Sequence, residues 1–336
     1  MKIIVFLETN WNLTVLFSYI HKKNIKHVTI ISSQKIDMPL LNNISIDSYT
    51  IFDNKVKKSK FKSLLKYKLF LFNKRNISFD QVIRFSTFSP LANMMISSLN
   101  CSTSILLDDG FLLYNKFHPE EKYNLDGRLK SIMYFLLSGK YPKFSFLDFS
   151  EVDQAYLVFD KDWKDVCELH NSIEIFPLTN IVCIDTLKVV ALEYLDIVNE
   201  LEKCLNIIDS ITVERVFLGT AFVTHGILSK SEYTSILNRC LGELDCLYKP
   251  HPSEMLLELK TPENTNILDS SIPIELLIAF RPHIELIGFG TSTQFFMYDL
   301  LGHSSSFYLS PSIYSKDFVS YLESKCTNCH FEVLPN

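Results

Sequence analysis

Eleven short apolar runs, rich in β-branched residues and separated by longer stretches of helical spacing, constrain this chain more than any other feature. They cover residues 3–7, 27–32, 81–85, 104–107, 155–159, 174–177, 213–218, 244–248, 266–268, 284–287 and 306–309. Strand-length runs alternating with helical patterns imply parallel sheets covered by helices on both faces, because a parallel pair is joined by a crossover and the crossover is usually a helix. The predicted class is α/β.

At 336 residues the chain is too long for one ordinary core, which favours two domains. The longest helical pattern, over 187–208, carries Leu192, Leu195, Ile197, Val198, Leu201 and Leu205. After it, Glu214-Arg-Val-Phe-Leu-Gly219-Thr220 looks like a second opening strand with a glycine turn. The expected division is therefore 1–185 and 186–336, two Rossmann-like α/β halves.

A membrane span needs roughly 18 continuous apolar residues, and no stretch has them. The apolar run at the N-terminus is too short for a signal peptide, so the expected location is the cytoplasm. Eight scattered cysteines fit reduced, mostly buried thiols there. Cys326-Thr-Asn-Cys329-His330 matches the haem-attachment spacing, but covalent haem would require export and a zinc site would need further ligands, so no metal is expected.

A net charge of −5 argues against a nucleic-acid binder. The charge is uneven, however: between Asn54 and Phe79 there are nine basic residues and no acidic one, with Phe61, Leu64, Leu65, Tyr67, Leu69, Phe70, Leu71 and Phe72 among them. Residues 55–75 form a basic amphipathic segment. It suits peripheral contact with the anionic face of an inner membrane or a polyanion, and equally a solvated helix whose apolar side packs on the core.

Four stretches can carry chemistry. Tyr248-Lys249-Pro250-His251-Pro252-Ser253-Glu254 ends an apolar run abruptly, and the two prolines stiffen the backbone around His251 before a helix start. The histidine is thus presented at the carboxyl edge of a sheet, where open α/β folds keep their ligands; a rigid turn with a solvated histidine reads equally well. Ser104-Ile-Leu-Leu-Asp108-Asp109-Gly110 runs from a strand into two adjacent carboxylates. Neighbouring like charges raise one another's pKa and make a usable general base, although an Asp-Gly turn is a common solvated strand end.

Ser271-Ile-Pro273-Ile-Glu275 is a proline-led helix start with a carboxylate in its first turn, suited to accepting from an amine or hydroxyl or merely to capping the helix. Gly288-Phe-Gly290-Thr291-Ser292-Thr293 opens a helix with hydroxyls and backbone N–H groups, an anion site suited to one phosphate. It fits neither the Walker pattern nor G-x-G-x-x-G, which disfavours ATP and NAD.

Taken in order, Asp108-Asp109-Gly110, then His251-Pro252, then Ser292-Thr293 resembles the bacterial sialyltransferases, whose short motifs are Asp/Glu-Asp/Glu-Gly, His-Pro and a Ser/Thr pair. Lys249-Pro250-His251-Pro252 looks most like the branch containing capsular polysialyltransferases and lipooligosaccharide sialyltransferases, and Leu218-Gly219-Thr220 resembles that branch's nucleotide-side loop. The resemblance implies a GT-B fold: two Rossmann-like domains facing a cleft, the N-terminal one on the acceptor side and the C-terminal one holding CMP–sialic acid, with no further cofactor. Asp108, or its neighbour Asp109, would take the proton from an acceptor glycan hydroxyl. His251 would donate to the leaving phosphate, Thr291, Ser292 and Thr293 would hold it, and Glu275 would contact the cytidine. Gly219, Thr220, Lys249, Pro252 and Gly290 complete the donor-side set, and Asn10, Trp11 and Asn12 are candidates for acceptor contacts. A histidine with hydroxyl and N–H donors can neutralise a departing phosphate without a metal.

Three rivals follow from the same residues. One is a GT-B transferase of another sugar nucleotide, such as CMP-Kdo or a uridine-diphosphate sugar. Another is a membrane- or polyanion-binding module working through 55–75. The last is a metal-dependent hydrolase built on the Asp pair, which lacks further ligands.

Overall fold

A computed structural model of the chain describes residues 1–7, 9–32, 45–51, 60–85, 92, 95–96, 98–108, 152–162, 173–194, 198–211, 213–224, 226–257, 259–263, 265–303, 305–309 and 314–333. It divides into two compact units, Met1–Thr186 with Glu193–Leu195, and Leu187–Leu192 with Asp196–Asn336.

The first unit is built on a seven-stranded, wholly parallel sheet: β1 (Lys2–Leu7), β2 (His27–Ser32), β3 (Ser45–Ile51), β4 (Ser78–Arg84), β5 (Asn100–Leu107), β6 (Gln154–Leu157) and β7 (Glu174–Pro177). The spatial order is β3-β2-β1-β4-β5-β6-β7. Ile3, Ile4, Val5, Phe6 and Leu7 are all buried, the continuous apolar run of a strand covered on both faces. Helix α1 (Asn10–Lys23) starts where the Thr9 hydroxyl accepts from the Asn12 N–H at 3.1 Å and the Asn12 side chain accepts from the Thr9 N–H at 3.0 Å, and it ends at Asn24 with φ +50°. Asn12 is therefore a buried cap, not a group presented to an acceptor. Helix α2 (Lys60–Lys74) holds the described part of the basic segment and buries Tyr67 and Leu71 against Ile4, Phe6 and Val82; residues 55–59 lie outside the described residues.

The predicted long helix over 187–208 is not uniformly α-helical, and residues 195–197 lie outside the described ones. Helix α3 (Ile184–Val189) runs into a π-helical turn, Val190–Tyr194, and α4 follows over Val198–Ser210. The wider turn rotates the side chains after it relative to an α-helix, and Leu192 stands 59% exposed.

The second sheet contains β8 (Arg215–Leu218), β9 (Leu247–Lys249), β10 (Glu285–Gly288), β11 (Ser305–Leu309) and β12 (His330–Val333), ordered β12-β11-β10-β8-β9 and again all parallel. Between them run α5 (Lys230–Glu243), α6 (Ile274–Phe280), α7 (Ser292–Leu301) and α8 (Lys316–Lys325). The strand predicted over 266–268 is a single parallel bridge from Ile267 to Tyr248. Cys326 closes α8, Cys329 N–H donates to its carbonyl at 3.0 Å, and His330 begins β12, so this Cys-x-x-Cys-His run is the turn into an edge strand. No helix among the described residues is long and apolar enough to cross a membrane.

Candidate functional site

The order of the second sheet fixes where a ligand belongs. The chain adds β9 on one side of β8 and then β10, β11 and β12 on the other, so the topology reverses between β8 and β10, where Leu218 lies in register with Gly288. Loops leaving the carboxyl ends of these strands splay apart and leave a crevice. Three of the four sequence motifs of this half leave those ends: Gly219-Thr220 after β8, Pro250-His251-Pro252 after β9, and Phe289-Gly290-Thr291 after β10. The fourth, Glu275, reaches them through Thr293.

Glu254, which the sequence reading assigned only to a helix start, ties the first two loops together. Pro252–Leu257 is a 3₁₀ turn rather than an α-helix, and it folds the Glu254 carboxylate back beneath His251. One oxygen accepts from the His251 N–H; the other accepts from the Tyr233 hydroxyl and from the Thr220 N–H at 3.4 Å. Thr220 N–H also donates to the Tyr233 hydroxyl at 3.1 Å, and Gly219 N–H donates to the Lys249 carbonyl at 2.9 Å. A Cβ on residue 219 would lie 2.0 Å from Glu254 Oε2 and 2.8 Å from His251 N, so only glycine lets the two loops approach. Burial raises the Glu254 carboxyl above the ordinary carboxylate range, against the lowering effect of its donors.

The imidazole itself is oriented by Ser253. Nδ1 of His251 accepts from the Ser253 N–H at 3.2 Å and lies 2.8 Å from the Ser253 hydroxyl. With Nδ1 taken as an acceptor, the neutral ring carries its proton on Nε2. The ring is half-buried.

Beneath the turn, Lys249 and Glu275 are both buried. Burial lowers the Lys249 ammonium from 10.5 to about 8, opposed by the Glu275 carboxylate. Burial raises Glu275, which accepts from the Thr293 hydroxyl at 2.8 Å. A cavity of about 600 Å³ borders the same turn, lined by Tyr248, Pro250, Glu254, Asp269 and Lys203, within the size range of small-molecule pockets.

The Gly290 loop corrects one expectation. Gly290 has φ +76°, as a left-handed turn requires, but its N–H and that of Thr291 both donate to Gln294 Oε1 at 3.1 Å, and Gln294 Nε2 donates to the Ser306 carbonyl. Those two N–H groups are thereby closed to an anion. The groups that remain are the N–H groups of Ser292 and Thr293, which have no partner among the described residues, and the Ser292 hydroxyl. Thr291 caps α7 by accepting from Gln294 N–H. The Thr291-x-x-Gln294 spacing is a capping box and was the signal for this arrangement.

In the first unit Asp108 follows β5. It is 1% exposed; its N–H donates to the Tyr156 carbonyl at 2.9 Å, and Oδ2 accepts from the Val158 N–H at 3.1 Å. Asp109 and Gly110 lie outside the described residues.

No protein-family model matches the chain, and no curated protein matches it in sequence. Solved structures do match. The UDP-GlcNAc 2-epimerase from Methanocaldococcus jannaschii superposes with a TM-score of 0.53 at 12% identity, over 99% of this chain and 89% of that one. The UDP-N-acetylglucosamine 2-epimerase from Rickettsia bellii gives 0.53 at 7% identity, over 96% and 87%. At such identities the likeness concerns the fold: this is an α/β chain with two parallel-sheet, Rossmann-like units of the GT-B type.

Proposed function

We propose that this protein is an inverting glycosyltransferase that moves sialic acid from CMP–sialic acid to a glycan hydroxyl, such as one on a bacterial lipooligosaccharide or capsular polysaccharide. The observation that carries the reading is the convergence of the Gly219, His251 and Thr291 loops on the carboxyl ends of β8, β9 and β10, with the His251 ring held so that Nε2 keeps the proton. The motif order that resembles the sialyltransferases supports the choice of donor.

In this reaction the acceptor oxygen attacks the anomeric carbon as the bond from that carbon to the CMP phosphate oxygen breaks. The bonding pair leaves on the phosphate, and the acceptor proton passes to a carboxylate. Asp108 is the proposed base, with Asp109 as the alternative. His251 Nε2–H donates to the leaving phosphate, joined by the Ser292 hydroxyl and the N–H groups of Ser292 and Thr293. Developing charge that meets fixed donors is stabilised without reorganisation. Glu275 acts here through Thr293, holding the start of α7 in place. Glu254 and Gly219 keep the histidine loop against the β8 loop.

A second reading has its own support. Two of the similar structures are UDP-GlcNAc 2-epimerases by name, which favours a uridine-diphosphate sugar as ligand of this fold. A ligand that binds only the native state raises the melting temperature, so a thermal-shift screen of CMP-, UDP- and GDP-linked sugars separates the two. The expected result is stabilisation by CMP–sialic acid and by CMP, and product formation that falls about 10²- to 10⁴-fold in His251→Ala. Stabilisation by UDP sugars alone overturns the donor assignment, and unchanged turnover in His251→Ala overturns the role of the histidine.

A further inference from the structure

We propose that helix α2 docks the protein on an anionic lipid surface, through a face its core packing does not use. The helix has two apolar sides. One carries Tyr67 and Leu71, both buried, with Phe70 packed partly against the same core. On the other, Leu65, Leu69 and Phe72 stand 43%, 55% and 54% exposed. Spacings of four and three residues put these three side chains in a row along one helix face. Only seven large apolar side chains among the described residues are this exposed, and three of them form this row. Single exposed leucines are ordinary on a protein surface, whereas a contiguous apolar strip signals an interaction.

Basic side chains border the row. Lys68 follows Leu65 by three residues and precedes Phe72 by four, Lys66 precedes Leu69 by three, and all of them are exposed. The Arg75 guanidinium lies 3.8 Å above the Phe72 ring. From Lys55 to Arg75 there are nine basic residues and no acidic one.

The combination selects the partner. A polyanion in water would use the lysines and leave the leucine and phenylalanine row wet. A second copy would bring like charge against like charge around its own row, which disfavours association. An anionic bilayer satisfies both sets at once: phosphate headgroups meet the ammonium and guanidinium groups, while the row enters the boundary of the acyl chains, roughly 5–10 Å deep. Lysine stems can lie along the apolar surface with their charges in the headgroup layer. The surface does not depend on which donor the second unit takes.

The test is co-sedimentation of the full chain with vesicles of phosphatidylcholine containing phosphatidylglycerol, against pure phosphatidylcholine, at low and high salt. The expected result is binding to the anionic vesicles that weakens about tenfold or more without phosphatidylglycerol, and falls as salt screens the lysines. Leu69→Ser with Phe72→Ser is expected to lose about tenfold or more of that binding at low salt, with an unchanged melting temperature because both side chains are exposed. Lys66→Glu with Lys68→Glu is expected to do the same. Leu69→Trp supplies a second readout, a blue shift of its fluorescence on anionic vesicles. Absence of vesicle binding by the parent, binding indifferent to lipid charge, or undiminished binding by the serine pair overturns the proposal. So does self-association of the parent that the serine pair abolishes, which would make the row a contact between copies.

Discussion

Asp108 and His251 each stand just beyond the carboxyl end of a parallel strand, yet they are held by different means. Asp108 is tied to main chain: its own N–H donates to the Tyr156 carbonyl, and its carboxylate accepts from the Val158 N–H, among its contacts. His251 is fixed largely by side chains, with Glu254 of its own turn under its N–H, Tyr233 of α5 under Glu254, and the Ser253 hydroxyl and N–H on its ring. A position set by strand pairing tolerates side-chain changes around it, because the ladder survives them. One set by a buried polar network depends on every member, since a half-satisfied network leaves a buried group unpaired. The two edges should therefore respond differently to substitutions of equal size.

The largest effect is expected at the first edge, and on activity alone. Asparagine in place of Asp108 keeps an oxygen for the Val158 N–H and removes only the charge, so Asp108→Asn should leave the melting temperature within a few degrees of the parent. Its turnover should fall about 10²- to 10⁴-fold, the usual worth of a positioned base. Melting curves and steady-state rates on the same preparation decide it. Stable protein with parental turnover would transfer the base role to Asp109.

At the second edge the buried charges make stability itself depend on pH. Lys249 in the unfolded chain holds its proton up to its ordinary value of 10.5, whereas in the folded chain burial brings that release down to about 8. Between those values the unfolded state binds more protons, so this residue makes the folded state gain stability as pH rises, by up to about 3 kcal/mol across the window. Lys249→Met should remove that rise. Urea midpoints of parent and variant, measured from pH 7.5 to 10, should converge as the pH increases. A constant difference would mean that the ammonium is not desolvated as the packing around it indicates.

The legibility of the two edges follows the same contrast. Strands buried on both faces could be read from the residues, and β2 coincides with its predicted run because continuous apolar character is what such burial demands; β7, a partly exposed edge strand, coincides with its run as well. β3 was missed because Ser45-Ile-Asp-Ser-Tyr-Thr-Ile alternates polar and apolar residues at the sheet edge. β12 does not stand out because His330-Phe-Glu-Val333 is a four-residue edge strand that alternates polar and apolar residues. In the second unit the chemistry-bearing residue types were visible, but their supports were not. Glu254 looks like any acid in a first turn until the 3₁₀ fold of Pro252–Leu257 returns it to His251. Gln294 was legible as the partner in a capping box, yet its closure of the Gly290 and Thr291 N–H groups depends on where the side-chain oxygen falls in space.

The smallest expected effect probes the finest part of the network. The His251 ring has two contacts from Ser253, the hydroxyl at 2.8 Å from Nδ1 and the N–H at 3.2 Å. Ser253→Ala removes the first and keeps the second, so Nδ1 still has a donor and the proton stays on Nε2. A neutral hydrogen bond of this kind contributes about 1 kcal/mol, and turnover should therefore fall less than tenfold, with a melting temperature close to that of the parent. If it instead falls as far as in Asp108→Asn, the hydroxyl rather than the main chain sets the ring. His251 would then rest on side chains alone, and the contrast with Asp108 would be sharper than the backbone contact allows.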